Sequence, residues 1–317
     1  MKKIMIGAVS IIPLLIGLCI IIYIYGPNFN LYLIPPSPER YGKIALKKMD
    51  DLGLYASGET WEENKIKAQK KLKKVSSYGQ ARDVLTPVLK LAGGKHSQFI
   101  QKETSSRAVK QSTPNIKRLD NGIIYIKLPP FTSVDKKQSK KYADALNHFL
   151  SQKEYQGVIL DLSDNTGGNM APMLIGLSSI LPNGRLFSLI NKYNQRTAFD
   201  LTNNRIDNQE TIALTDPIHK KKVPVAIIMN NRTASSGEVV GLSFKGLENV
   251  HYFGQHSAGY TTGNMVFWLY DGTQVNLTTS ILMDRQGKRY ENDPLQPDTW
   301  SENPIRESKN WLKSKMN

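Results

Sequence analysis

An α/β domain with a covered sheet is the fold this sequence predicts, and three observations predict it. Two short, predominantly apolar runs, Val158–Leu162 and Val223–Met229, read as strands buried on both faces. Each run gives way to a turn rich in glycine, asparagine or serine. Each is then followed by a helical pattern, Ala171–Leu181 after the first and Ser235–Leu247 after the second. Strands that alternate with helices in this way favour a sheet flanked by helices.

The neighbouring segments extend the same scheme. Ile123–Leu128 reads as a strand, and Ser133–Gln152 as an amphipathic helix with Tyr142, Leu146, Phe149 and Leu150 on one side. Val250–Phe253 is a short strand, and Met265–Met283 reads as antiparallel strands around the turn Asp271-Gly272. Upstream lie three helical segments, Glu39–Leu52, Thr60–Val75 and Gly79–Leu91. Ser37-Pro38 opens the first of them and Gly93-Gly94 closes the last. Their many lysines are the solvated faces of amphipathic helices.

The N-terminus has a different character. Ile4–Tyr25 holds twenty-two residues without a charge, long enough as a helix to span the ~30 Å hydrocarbon core of a bilayer. Lys2 and Lys3 precede the run and no charge follows until Glu39, which orients the N-terminus inward and everything after it outward. A cleaved signal peptide would have a shorter apolar region and a small-x-small site, and this run ends instead in IYIYGPNF. The expected organisation is a transmembrane anchor over residues 1–26, a proline-bearing linker over 27–36, a helical region over 37–115 and a catalytic core over 116–317. The expected location is the cell membrane, single-pass, with the C-terminal part extracellular.

Composition excludes several classes. The only cysteine, Cys19, lies in the apolar run, so neither a disulfide framework nor a cysteine zinc site can form. No HExxH, no phosphate-binding glycine loop of the G-x-x-x-x-G-K-[ST] kind and no G-x-S-x-G occurs. We therefore expect no metal and no cofactor. The formal charge of +15 suits a domain beside anionic lipid, and with an anchor in place nucleic acid is not expected as a partner.

Three stretches could carry chemistry. The first is Asn230–Glu238, NNRTASSGE, directly after the second apolar strand. A serine at such a strand-to-helix junction presents its hydroxyl at the carboxyl end of a sheet, near the free N–H groups of a helix start. Ser235 with Glu238 also fits a helix capping box, and on these residues alone the cap is the stronger reading. The second stretch, Asp161–Met170, holds Gly167-Gly168, whose backbone N–H groups could face an oxyanion or could simply make a tight turn. The third is Gly93-Gly94-Lys95-His96-Ser97. Of the five histidines, His96 stands apart because it follows a Gly-Gly hinge, and His256 is its rival as a base.

Taken in order, VILDLSDNTGG, VPVAIIMNNRTASSGE, FGQHSAGYTTGN and LYDGTQVNLTTSILMDRQGKRYENDPLQPD resemble the S41 peptidases, the tail-specific or C-terminal processing proteases. The resemblance covers about residues 93–299 and implies a core of mixed sheet with flanking helices. It implies Ser235 as nucleophile, with Ser236 as the fallback. Many members use a lysine base twenty-five residues further on, where this chain has Tyr260, so the resemblance points instead to the histidine branch and to His96. It further implies an oxyanion hole at Ser236 with Gly167 or Gly168, and a substrate groove lined by Asn169, Met170 and Ala171. No PDZ domain fits before the core. Over nearly the whole chain, FNLYLIPPSPERY and LKLAGGKHS resemble a narrower group within that family, the nisin resistance proteins. That likeness implies a serine endopeptidase that cleaves the C-terminal tail of a lanthionine-containing peptide. The alternatives are an immunity protein that sequesters the peptide without cutting it, and a general C-terminal processing protease.

Overall fold

The computed structural model describes residues 2–101, 112–151 and 154–316, with side chains described from Pro13 onward. The chain divides into two compact units, Met1–Ala108 with Asn264–Thr279, and Val109–Gly263 with Ser280–Asn317.

In the first unit four helices precede a short strand. They are α1 (Lys2–Tyr25), α2 (Pro38–Leu52), α3 (Gly58–Leu72) and α4 (Tyr78–Gly93), with β1 at Gln98–Ile100. Side chains of α1 are described only from Pro13, and among the residues so described no helix is long and apolar enough to cross a membrane. The start of α2 follows from Ser37, whose hydroxyl accepts the Arg40 N–H at 3.3 Å, with Pro38 supplying the first helical φ. Ser77 does the same for α4 through the Gln80 N–H at 3.2 Å. The apolar stripes of α2, α3 and α4 meet in one core around Tyr41, Met49, Trp61, Leu72 and Leu85. Gly42 permits that packing, since a Cβ there would stand 2.3 Å from a Leu72 methyl.

The chain returns to this unit late in the sequence. Residues 264–279 form a hairpin from parts of the strands Thr262–Trp268 and Gln274–Asp284, and Gln274–Asn276 pair antiparallel with β1. The hairpin adds Leu269, Val275 and Leu277 to the helical core. It also adds Asp271, which accepts from the Tyr41 hydroxyl at 3.0 Å and pairs with the Arg82 guanidinium. Burial pushes the Tyr41 phenol up to about 12, so it stays a donor throughout the working pH range.

The second unit is the α/β domain the sequence leads one to expect. Its central sheet runs in the order Thr299–Trp300, β9 (Val250–Gly254), β8 (Val225–Met229), β4 (Gly157–Asp161), β3 (Ile123–Lys127), β2 (Asn115–Arg118). All neighbours are parallel except β2 against β3, so the sheet is mixed. The apolar runs are buried because both faces are covered. Val158, Leu160, Val225 and Ile227 face a core shared with α5 (Lys136–Ser151), α6 (Met170–Gly176) and α7 (Ser236–Leu242). The alternate residues, Ile159, Ala226 and Ile228, face Leu312 of α8 (Pro304–Met316). An antiparallel set, β5 (Gly184–Asn191), β6 (Arg196–Thr202) and β7 (Arg205–Ile206), pairs through β5 with Ser280–Asp284.

Some boundaries differ from the sequence reading. The helix expected over Ala171–Leu181 is α6, which stops at Gly176 and continues as turns, and α7 stops at Leu242 rather than Leu247. Gln152, expected to end α5, and residues 102–111 of the expected helical region lie outside the described residues.

The Asp271 cluster gives a direct test. Asp271→Ala leaves the half-buried Arg82 without its counter-charge and should cost about 2–3 kcal/mol of stability, read as a lower urea midpoint. Asp271→Asn, which keeps an acceptor for Tyr41, should cost less.

Candidate active site

Two parallel neighbours, β4 and β8, send their following loops to the same end of the sheet. The register pairs Asp161 with Ile228, and the Leu162 N–H continues the ladder to the Ile228 carbonyl at 2.8 Å. Beyond that point side chains and main chain tie the loops together. The Thr233 hydroxyl donates to the Leu162 carbonyl at 2.9 Å, and the Ala234 N–H donates to the Asn165 carbonyl at 2.9 Å. Asn165 is fully buried. Its amide donates to the Leu128 carbonyl at 3.0 Å, and its Oδ1 accepts the Gly167 N–H at 2.9 Å.

These ties deliver Ser235 in an unusual state. Its backbone lies at φ +53 and ψ −122, a region L-residues rarely occupy. Such a bend between a strand and a helix is how a serine hydroxyl is held clear of its own main chain. The sequence has no G-x-S-x-G, yet Ser235 likewise sits on a strained strand-to-helix turn. Gly167 packs directly beneath it. A Cβ on Gly167 would stand 2.8 Å from the Ser235 Cβ and 2.9 Å from the Ser236 nitrogen.

The two serines differ in what they do. The Ser236 hydroxyl donates to the Gly168 carbonyl at 2.5 Å and is largely buried, whereas Ser235 is half-buried. Ser236 thus clamps the glycine turn to the helix start. Of the three backbone groups expected to form an oxyanion hole, Gly167 is a correction. Its N–H is already given to Asn165, and its contribution is the absence of a side chain. The N–H groups of Gly168 and Ser236 make no hydrogen bond among the described residues.

Glu238 fastens this arrangement from below. Fully buried, its carboxylate accepts the Ser235 N–H at 2.9 Å, the Gly259 and Tyr260 N–H groups at 2.8 Å each, and the Ser257 hydroxyl. Burial raises its pKa above the usual carboxylate value, and the four donors act against that rise. Tyr260, where a lysine base would stand, therefore sits in the same loop that Glu238 holds.

The residues expected to line a groove lie at the start of α6. Asn169 is its N-cap, with Oδ1 accepting the Ala171 N–H at 3.1 Å and the amide donating to the Ser133 carbonyl at 3.3 Å. Ala171 is 3% exposed, so it cannot line a groove, and Met170 packs in part against the core. Asn169 and Met170 remain half-buried beside the exposed Gly168.

His96 belongs to the first unit, in the turn Gly94–His96 that closes α4. Gly94 there has φ +67, and the His96 carbonyl accepts from the Asn276 amide at 2.9 Å. The next residue, Ser97, accepts the Thr278 N–H at 2.9 Å through its hydroxyl. The backbone on the C-terminal side of His96 is thereby pinned to the returning hairpin. Burial, then the positive charges of Lys95 and Lys90, lower the ring's pKa to about 4, so it is neutral at pH 7. The rival His256 is exposed, with Nδ1 2.8 Å from the Ser257 carbonyl. His148 pairs with Asp216 at 2.9 Å, and His251 bonds Thr299 at 2.9 Å and stacks on Trp311. Their side chains have structural partners.

Comparison with known proteins agrees with this picture. Residues 122–300 match peptidase family S41. The nisin-resistance protein of Lactococcus lactis subsp. lactis is 36% identical over 318 residues, covering 99% of this chain and 98% of that protein. Among solved structures, a lipoprotein from Streptococcus agalactiae is 45% identical with a TM-score of 0.84, over 90% of this chain and 99% of that one. The photosystem II D1 C-terminal processing protease shares the fold, with a TM-score of 0.58 at 13% identity over 84% of this chain and 94% of its own. The family match over more than half the chain and the likeness to the Lactococcus protein over nearly all of it place the chain in one group: it belongs to peptidase family S41.

Proposed function

We propose that the protein is a serine endopeptidase, anchored in the membrane by α1, that cuts the C-terminal tail of a nisin-like lantibiotic outside the cell. The strained backbone of Ser235 carries the catalytic part of this reading. Strain of that size persists only where surrounding contacts enforce it, and it clusters at working residues. The substrate is suggested by the name of the Lactococcus relative, and the anchor by the uncharged run Ile4–Tyr25.

In this mechanism the Ser235 hydroxyl gives its proton to the neutral imidazole of His96 as its oxygen attacks the scissile carbonyl. The resulting oxyanion is received by the N–H groups of Gly168 and Ser236, a donor of this kind being worth about 3 kcal/mol. The imidazolium then protonates the departing amine. Water, deprotonated by the same ring, resolves the acyl-enzyme and returns Ser235 to its starting state.

Incubating the full-length protein in detergent with nisin and weighing the products by mass spectrometry tests the substrate. A truncated peptide is expected, and an intact mass after long incubation would sink the proposal for this substrate. Ser235→Ala should lower turnover by ~10⁴-fold or more, while Ser236→Ala, which loosens one clamp, should keep a measurable rate. If cells carrying Ser235→Ala remained as resistant as before, sequestration would be the better account.

Gly167→Ala offers a finer probe. The added methyl must displace Ser235 and adopt φ +101, so kcat should drop by about 10²-fold with the far-ultraviolet dichroism unchanged.

The pH profile follows from His96. Its folded pKa of about 4 lies below the usual 6.5, so kcat/KM should rise with unit slope through pH about 4 and show no further rise from this group near neutrality. The same shift has a stability consequence with a definite sign. The unfolded ring takes up a proton more readily than the folded one, so stability falls as pH drops from 6.5 toward 4. His96→Gln should lose that dependence in a urea-midpoint series.

A further inference from the structure

The first unit exposes large apolar side chains where its chain leaves α1. Phe29 is 84% exposed, and Leu31, Leu33 and Ile34 also stand largely in solvent. The returning hairpin brings Trp268 and Tyr270, 49% and 39% exposed. The two groups adjoin, since the Tyr270 ring lies edge-on to Tyr32 with centroids 5.2 Å apart and to Tyr78 at 6.0 Å.

This surface is held in place by specific bonds. The Tyr78 hydroxyl donates to the Pro36 carbonyl at 2.7 Å, which fixes the segment between α1 and α2 to α4. At the other end the Arg40 guanidinium lies 3.6 Å from the centroid of the Tyr23 ring and donates to the Tyr23 carbonyl. The end of α1 is thereby joined to the start of α2 and does not swing on a free tether.

We propose that this surface rests in the headgroup region of the bilayer that α1 enters, so that the first unit is docked on the membrane. The inference rests on the reading of α1 as an anchor. Lipid is the occupant because the patch continues the exposed apolar side chains of α1, with only Gly26, Pro27 and Asn28 between Tyr25 and Phe29. Its residue types point the same way. Tyr23, Tyr25, Trp268 and Tyr270 combine an apolar ring with a polar tip, the amphipathic form that collects at the level of lipid headgroups. Arg40 can lay its stem on that surface and keep its charge among the phosphates. A peptide-binding role for the hairpin is the competing occupant, and it predicts a different fluorescence response.

The test uses the full-length protein reconstituted into phosphatidylcholine–phosphatidylglycerol vesicles whose acyl chains carry bromine near the headgroup end. Trp268 is one of four tryptophans, with Trp61 buried and Trp300 exposed elsewhere. Brominated vesicles should quench the emission, and Trp268→Phe should remove most of the quenched part while Trp300→Phe leaves it in place. Equal quenching in wild type and Trp268→Phe, or none in either, would overturn the docking. So would Trp268 emission that ignores bromine and responds only to added nisin, which would make the hairpin a peptide-binding surface. Alkaline carbonate extraction of the same vesicles separates this from the anchor. Protein that stays with the lipid but shows no Trp268 quenching keeps the anchor and loses the docking, whereas released protein that had shown quenching keeps the docking and loses the anchor.

Discussion

A buried carboxylate holds the strand-to-helix junction of the second unit together. Glu238 would be very costly to enclose without partners, because a charge taken out of water must be compensated by donors around it. Four donors meet it, from Ser235, Ser257, Gly259 and Tyr260. The consequence is geometric as much as energetic. Two segments more than twenty residues apart are fixed to a single pair of oxygens, and the nitrogen of the strained serine is one of the four attachments. The glycine turn completes the enclosure through Ser236 on the Gly168 carbonyl. With both of its neighbours held, Ser235 has no low-cost route back to an ordinary conformation.

The sheet makes this convergence available. Parallel strands that lie side by side point the same way, so the loops leaving β4 and β8 meet without further instruction. Asn165 then bridges them in a space from which water is excluded, and its fully used amide leaves no room for slack. On the surface, the same groups would exchange bonds with solvent and the turn would be free to relax. Burial converts a handful of ordinary hydrogen bonds into a fixed arrangement.

Much of this was legible in the residues. The runs at Val158 and Val223 announced central strands because burial on both faces removes the usual alternation of polar and apolar positions. Gly167 and Gly168 announced a backbone closed to other residues, and both have positive φ. Other features had no local mark. Of the three strands in Gly184–Ile206, β5 takes one partner some ninety residues later, in Ser280–Asp284, and pairing over that distance is set by the assembled sheet. The C-terminal helix Pro304–Met316 went unread because its stripe is sparse, with Leu312 as its one fully buried apolar side chain. Asn165 and Ser257 looked like loop residues, since an asparagine or serine in a turn is ordinary until its burial is known. The capping pair read in the sequence is present, with the Glu238 carboxylate accepting the Ser235 N–H, while the unusual backbone angle of Ser235 is something composition does not encode.

That angle also constrains how the chain could change over generations. Main-chain strain at residue 235 belongs to the position and not to the hydroxyl, so any L-residue placed there inherits it. On the proposed role of Ser235, a cysteine would keep a nucleophile and the tension alike. Glycine alone would relieve the tension, and in doing so would discard the hydroxyl. Stability and the proposed chemistry therefore pull this site toward different amino acids, and a descendant freed from selection for that chemistry would drift toward the smaller one.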